Sequence, residues 1–90
     1  MNMPQSIIIT DLSAPEIYTG LGLPIFTLYQ SPSDFPGKFV ARLSDGMTSQ
    51  ATPFVFVSDK LSDVVKAVPQ HFCYFPRHDS DDPVIVGVFL

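Results

Sequence analysis

The chain has 90 residues, nine carboxylates against five lysines and arginines, a net charge of -4 and one cysteine. That length makes one domain, and a chain so short buries only about 60% of the surface it exposes when unfolded, so its core is thin. With Cys73 alone no internal disulfide forms, His71 and His78 have no second thiolate to complete a zinc site, and five scattered cations make no basic stripe for nucleic acid.

The start, Met1-Asn2-Met3-Pro4-Gln5, carries neither a positive segment nor a long apolar one, so no signal peptide is expected. Ile7-Ile8-Ile9-Thr10 is β-branched and reads as a strand or an extended arm. The stretch from Asp11 to Tyr18 holds one helical turn, with Ser13 as cap and Pro15 in the first turn, and Gly20 and Gly22 end it. Residues 1–22 are therefore expected to be an extended arm or a cover segment of a single domain. Pro24 opens the strand Ile25-Phe26-Thr27-Leu28-Tyr29-Gln30. Ser31 to Gly37 is a loop, with Pro36-Gly37 suited to the centre of a type II turn, Asp34 able to close an Asx-turn and Phe35 able to plug the core.

Lys38 to Leu43 alternates, placing Phe39, Ala41 and Leu43 on one face and Lys38, Val40 and Arg42 on the other. Met47 to Pro53 is polar and reads as a loop, and Phe54-Val55-Phe56-Val57 as a short central strand. Leu61, Val64, Val65 and Val68 follow at helical spacing, predicting a helix over about residues 59–68, capped by Ser58 or Asp59 and ended by Pro69. His71 to Phe75 is a further strand, Pro76 to Pro83 a polar turn, and Val84 to Leu90 a last strand in which Gly87 marks a bulge or a close backbone approach. The class is α+β: a small antiparallel or mixed sheet of four or five strands with one packed helix.

Residues 54–57 and 84–90 do not alternate, so both faces of the sheet need cover. One short helix covers part of one face. The rest is expected to meet a second copy in a homodimer, the commonest closed oligomer, with residues 7–29 folding back over the sheet, or a protein target, as the alternatives. No run approaches the roughly 18 apolar residues of a membrane span. The expected setting is the cytoplasm, with no membrane, no nucleic acid and no cofactor.

Candidate chemistry is sparse. His78-Asp79-Ser80-Asp81-Asp82 gathers an imidazole and carboxylates, but without the alternation and glycine of a calcium loop, and it reads first as a solvated acidic turn between strands. His71 and Cys73 lie two apart and would share a strand face, with no third group to orient them. A cysteine among aromatic residues more often serves as buried packing. No catalytic residues and no metal ligands are therefore assigned, and the chain reads as non-enzymatic. Tyr29, Phe35, Phe39, Arg42, Tyr74 and Arg77 form an aromatic and basic set that serves either as core and rim or as a grip on a partner. Of these, Tyr29, Phe35, Arg42 and Arg77 are the candidate partner-binding or ligand-binding residues. The alternative to an interaction module is a small-ligand or nucleotide-sequestering protein that uses Arg42 and Arg77 together.

Three stretches, Tyr29 to Arg42, Val57 to Leu61 and Asp81 to Leu90, resemble a set of short uncharacterised bacterial, plasmid and phage proteins. In that set an aromatic, a proline, an aspartate and an aromatic-proline pair precede a Phe-Val-x-Arg strand, and the chain closes on Asp-Pro-Val-Ile-Val. This chain departs from the set at Gly87, where relatives often carry a carboxylate. The resemblance covers about residues 25–90 and brings no activity with it. It implies a mobile-element setting, in which small proteins often bind and modulate a host protein as accessory factors or inhibitors.

Overall fold

The computed structural model describes residues 6–80 and 82–90. In chain order the elements are β1 (Ile7–Ile8), a 3-10 helix (Pro15–Tyr18), β2 (Pro24–Gln30), β3 (Phe39–Asp45), β4 (Gln50–Ser58), α1 (Leu61–Ala67), β5 (Tyr74–Pro76) and β6 (Ile85–Phe89). The strands form one sheet in the order β1-β4-β3-β2-β6-β5. β1 runs parallel to β4 and every other pair is antiparallel.

The α+β class follows from the pattern. The sheet has six strands rather than four or five, because the arm at Ile7–Ile8 pairs with β4 as a short edge strand and the segment before β6 pairs as a second, over Tyr74–Pro76. β4 begins at Gln50, inside the stretch that reads as a loop. Its polar Thr52 fits there because the Oγ1 donates to the Leu43 carbonyl (2.7 Å) and accepts the Phe54 N–H (3.2 Å). These bonds lie where the β3–β4 register shifts between Arg42 and Ser44. On the β5 side, His71 stands in a turn closed by the Phe72 N–H on the Pro69 carbonyl (3.1 Å). Strand pairing begins only at Cys73, which exchanges backbone bonds with Leu90 (2.8 and 2.9 Å).

The predicted caps act differently. Lys60, extended at φ -120°, takes the N-cap place of α1 with no side-chain bond. Ser58 Oγ instead donates to Asp63 (2.9 Å), and Asp59 pairs with Lys38. Ser13 is bound to Asp11 through both its N–H and its hydroxyl, so Ala14 precedes the 3-10 helix uncapped. Val68 is extended ahead of Pro69, as the proline ring requires.

One face of the sheet carries the main core. Phe26, Leu28, Ala41 and Leu43 are wholly buried there, with Phe89 nearly so. Leu12, Ile17, Val64 and Val68 close over them. α1 lies on β3 and β4. Of its apolar stripe, Val64 and Val68 point inward, while Val65 is 44% exposed. Beyond α1 the cover is aromatic. Phe72 meets Phe26 edge-on at 5.1 Å between ring centres, and Tyr18 meets Phe26 at 6.3 Å. Tyr18 donates its hydroxyl to the Leu12 carbonyl, and burial pushes its phenol pKa up, with Asp11 adding to the shift. The 3-10 segment therefore reinforces the face that α1 already covers.

The other face has no helix. Cross-strand register makes one row of Ile8, Val55, Arg42, Thr27, Val88 and Phe75, and a second of Val57, Val40, Tyr29 and Ile85. Val40, Val55 and Arg42 are buried, while Ile8 and Phe75, at the two ends of the first row, are 59% and 48% exposed. At Gly87 the β2–β6 register shifts, and an added Cβ would stand 2.6 Å from both the Phe75 carbonyl oxygen and the Tyr74 ring. Glycine lets β5 close onto β6, with the Tyr74 hydroxyl donating to the Val86 carbonyl (3.1 Å).

Candidate binding site

The helix-free face carries a hollow of about 610 Å³. Its floor is Tyr29, Val40 and Arg42 from β2 and β3. Pro32, Ser33 and Asp34 wall one side, Asp82 and Val84 another, and Ser6 and Ala51 complete the lining.

Local bonding fixes both walls. Ser31 donates its N–H to the Lys38 carbonyl (2.7 Å) and accepts the Gly37 N–H on its hydroxyl (2.9 Å). The Lys38 N–H reaches the Phe35 carbonyl (3.2 Å), closing a turn whose Gly37 has φ +77°, the type II geometry that Pro36-Gly37 predicts. On the second wall, the Val84 carbonyl accepts the Gln30 N–H (2.7 Å), tying the segment to β2. Asp82 Oδ1 accepts the Val84 N–H (3.0 Å), an Asx-turn that holds the carboxylate in place.

Arg42 organises the floor. Its side chain is only 8% exposed, and a guanidinium taken out of water needs partners. Nη1 donates to the Thr52 carbonyl (3.0 Å), and Nη2 donates to Ser6 Oγ (2.8 Å) and to Asp34 Oδ2 (3.4 Å). Asp34 thus serves Arg42 rather than the Asx-turn the loop sequence implies. No buried side-chain nitrogen or oxygen among the described residues lacks a partner.

Of the four candidate residues, Tyr29 and Arg42 meet in the hollow and the other two do not. Phe35 is half-buried at the first position of the type II turn and lines no part of it. Arg77 follows β5 at the far edge of the sheet, where its N–H donates to the Val86 carbonyl (3.2 Å) and its Nη1 to the His78 carbonyl (3.3 Å). A grip that closes Arg42 and Arg77 on one ligand is therefore not what the fold builds, because β2 and β6 lie between Arg42 on β3 and the chain at Arg77. The residues sequence reasoning missed are Asp34 as the arginine's counter-ion, and Asp82, Val84 and Ala51 as lining. The Asp82-Pro83-Val84 turn was the available signal, since it returns the chain beside Gln30.

The other candidates part company. His71 tilts over Phe72 at 4.6 Å between ring centres, and Cys73 is exposed, contrary to a buried packing role. The acidic turn includes Asp81, which lies outside the described residues; within it, His78 Nδ1 is 2.9 Å from Ser80 Oγ. No group of three His, Cys, Asp or Glu side chains gathers among the described residues. No helix among them is long and apolar enough to cross a membrane. The chain matches no protein-family model, no curated protein and no solved structure.

Proposed function

We propose that the chain is a non-catalytic protein-interaction module that docks its partner on the helix-free face of the sheet, with the hollow at Tyr29 and Arg42 as anchor point. The observation that carries this reading is the combination on one face of a broad row that is apolar on either side of Thr27 and Arg42 with a recess at Arg42. Six strands spaced at about 4.8 Å make that row about 24 Å wide, and its ends, Ile8 and Phe75, are half exposed. Interfaces commonly concentrate their binding energy in a central pocket ringed by contacts that exclude water. A second copy of the chain is one partner such a face admits. A host protein, bound by an accessory or inhibitory factor of a mobile element, is the other, and the resemblance favours it.

The volume of the hollow supports a second reading, a small-ligand protein, since ligand pockets span about 300–1,000 Å³. That reading rests on Tyr29 and Arg42 without Arg77. Display of random short peptides against the purified protein separates the two. The interaction reading expects enriched peptides whose binding is lost in both Tyr29→Ala and Ala51→Arg, the latter filling the hollow from an exposed rim position. It is overturned if no peptide is enriched, or if enriched peptides bind the two variants as well as the parent. A light-scattering mass that doubles in the parent and returns to one chain in Phe75→Asp supports the second copy as the occupant.

A further inference from the structure

Resting on that docking face, we infer that the hollow accepts a basic side chain, an arginine or lysine projecting from the partner. The lining is divided in a way that fits such a group. Tyr29 and Val84 offer apolar surface for a long aliphatic stem above the buried Val40, and Asp34 and Asp82 offer carboxylates to its charged head. The one cation of the lining, Arg42, is 8% exposed and already engaged by Thr52, Ser6 and Asp34, so it has little left to offer an anion. Asp34 is 47% exposed and holds Arg42 through one long contact of 3.4 Å. A carboxylate has capacity for several donors, so Asp34 receives a second cation without releasing the first. The Tyr29 ring adds a face on which a guanidinium or ammonium rests favourably. An acidic residue would meet two carboxylates and a screened arginine, and the net charge of -4 steers basic rather than acidic partners toward the chain.

The test is a titration of the isotope-labelled full chain with N-acetyl-arginine amide, its neutral citrulline counterpart and its glutamate counterpart, followed by amide NMR. The arginine probe is expected to give saturable shifts at Asp34, Ala51 and Val84 that weaken as salt is raised. Citrulline, of the same shape without the charge, is expected to bind about ten-fold more weakly. Asp82→Asn retains the turn acceptor and is expected to weaken the arginine probe about two- to five-fold, as is Asp34→Asn if its Tm shows that Arg42 tolerates the change. Equal binding of citrulline overturns the inference, as does preference for glutamate, which would assign the hollow to Arg42, or saturable binding of no probe. Display peptides that need Tyr29 and an open hollow yet show no enrichment of arginine or lysine would leave the docking face standing and remove the basic anchor. Failure of both probes and peptides removes both.

Discussion

The two faces of this sheet start from similar side chains and reach different states. Under α1, Phe26, Leu28, Ala41 and Leu43 are sealed by Leu12, Ile17, Val64 and Val68, a layer of apolar residues from two segments of the chain. On the opposite face Val40 and Val55 are as well buried, but they flank a charged group, with a hollow beside it and half-exposed Ile8 and Phe75 at the margins. Each face also hides one charge near β3. Asp45 lies at the end of the covered face and is held by backbone N–H groups. Arg42 lies at the centre of the open face and is held in part by side chains, Ser6 and Asp34. Backbone groups are fixed by the fold. Side chains move at small cost. Asp45 is thus fixed by the backbone itself, whereas two of the three Arg42 contacts depend on the rotamers of Ser6 and Asp34.

The largest expected effect breaks the comparison most directly. Phe26→Ala removes a wholly buried ring that touches Tyr18 and Phe72, and is expected to cost about 3–5 kcal/mol. That is a large share of the roughly 5–15 kcal/mol by which a domain is stable. Tyr29→Ala, a partly buried ring on the open face, is expected to cost less than half as much in the same urea titration. Equal losses would mean that the two faces are closed alike and that the hollow is ordinary core.

How much of this was legible in the sequence follows from the same contrast. Aromatic and β-branched content found β2, periodicity found β3 and α1, and the Pro36-Gly37 dipeptide found its turn, because each is a local property of a few neighbouring residues. Gly87 was legible for the same reason: a glycine within an apolar strand signals an approach too close for a Cβ. The departures that shape the open face are long-range. Thr52 is a strand residue only because the Leu43 carbonyl and the bulge in β3 receive it. Asp34 pairs with Arg42 eight positions along, and Ser6 reaches the same guanidinium from 36 positions away. Non-alternating strands signalled that both faces need cover, but a hydrophobic pattern sets that demand without naming what meets it. Tyr29 and Arg42 stand together because their own strands aim them at one face. Arg77 stands apart from them because its position depends on strand order, which no local pattern encodes.

A smaller effect sharpens the difference between the two hidden charges. Asp45 accepts the Met47 N–H (2.9 Å), the Leu23 N–H (3.1 Å) and the Gly22 N–H (3.3 Å). These bonds, Met47 first and Leu23 next, hold its carboxyl pKa below the ordinary 3.8. A group with a lowered folded-state pKa contributes its full stability above the unfolded value and loses it as pH falls through the folded value. Asp45→Asn is therefore expected to lower Tm at neutral pH, with the gap to the parent closing as pH drops below about 4. Asp11, also lowered, chiefly by its bonds with Ser13, titrates alike in both proteins and cancels in the difference. A gap that stays constant down to low pH would show that the three N–H groups do not favour the charged carboxylate.

The smallest expected effect on stability carries the most for function. Ile8→Ser and Phe75→Ser remove large apolar groups that are already about half in water, at the two opposite edges of the open face. Substitutions at such positions usually change stability by no more than about 0.5 kcal/mol. The pair should add nearly independently, because four strands separate them. The double variant is thus expected to unfold within about 1 kcal/mol of the parent, yet to lose binding of display peptides long enough to cross the sheet. Peptides confined to the hollow should be retained. If instead the double variant unfolds as readily as Phe26→Ala, the edges of the open face are structural closures like those under α1, and the proposed docking surface, about 24 Å wide, shrinks to the hollow alone, about 610 Å³ in volume.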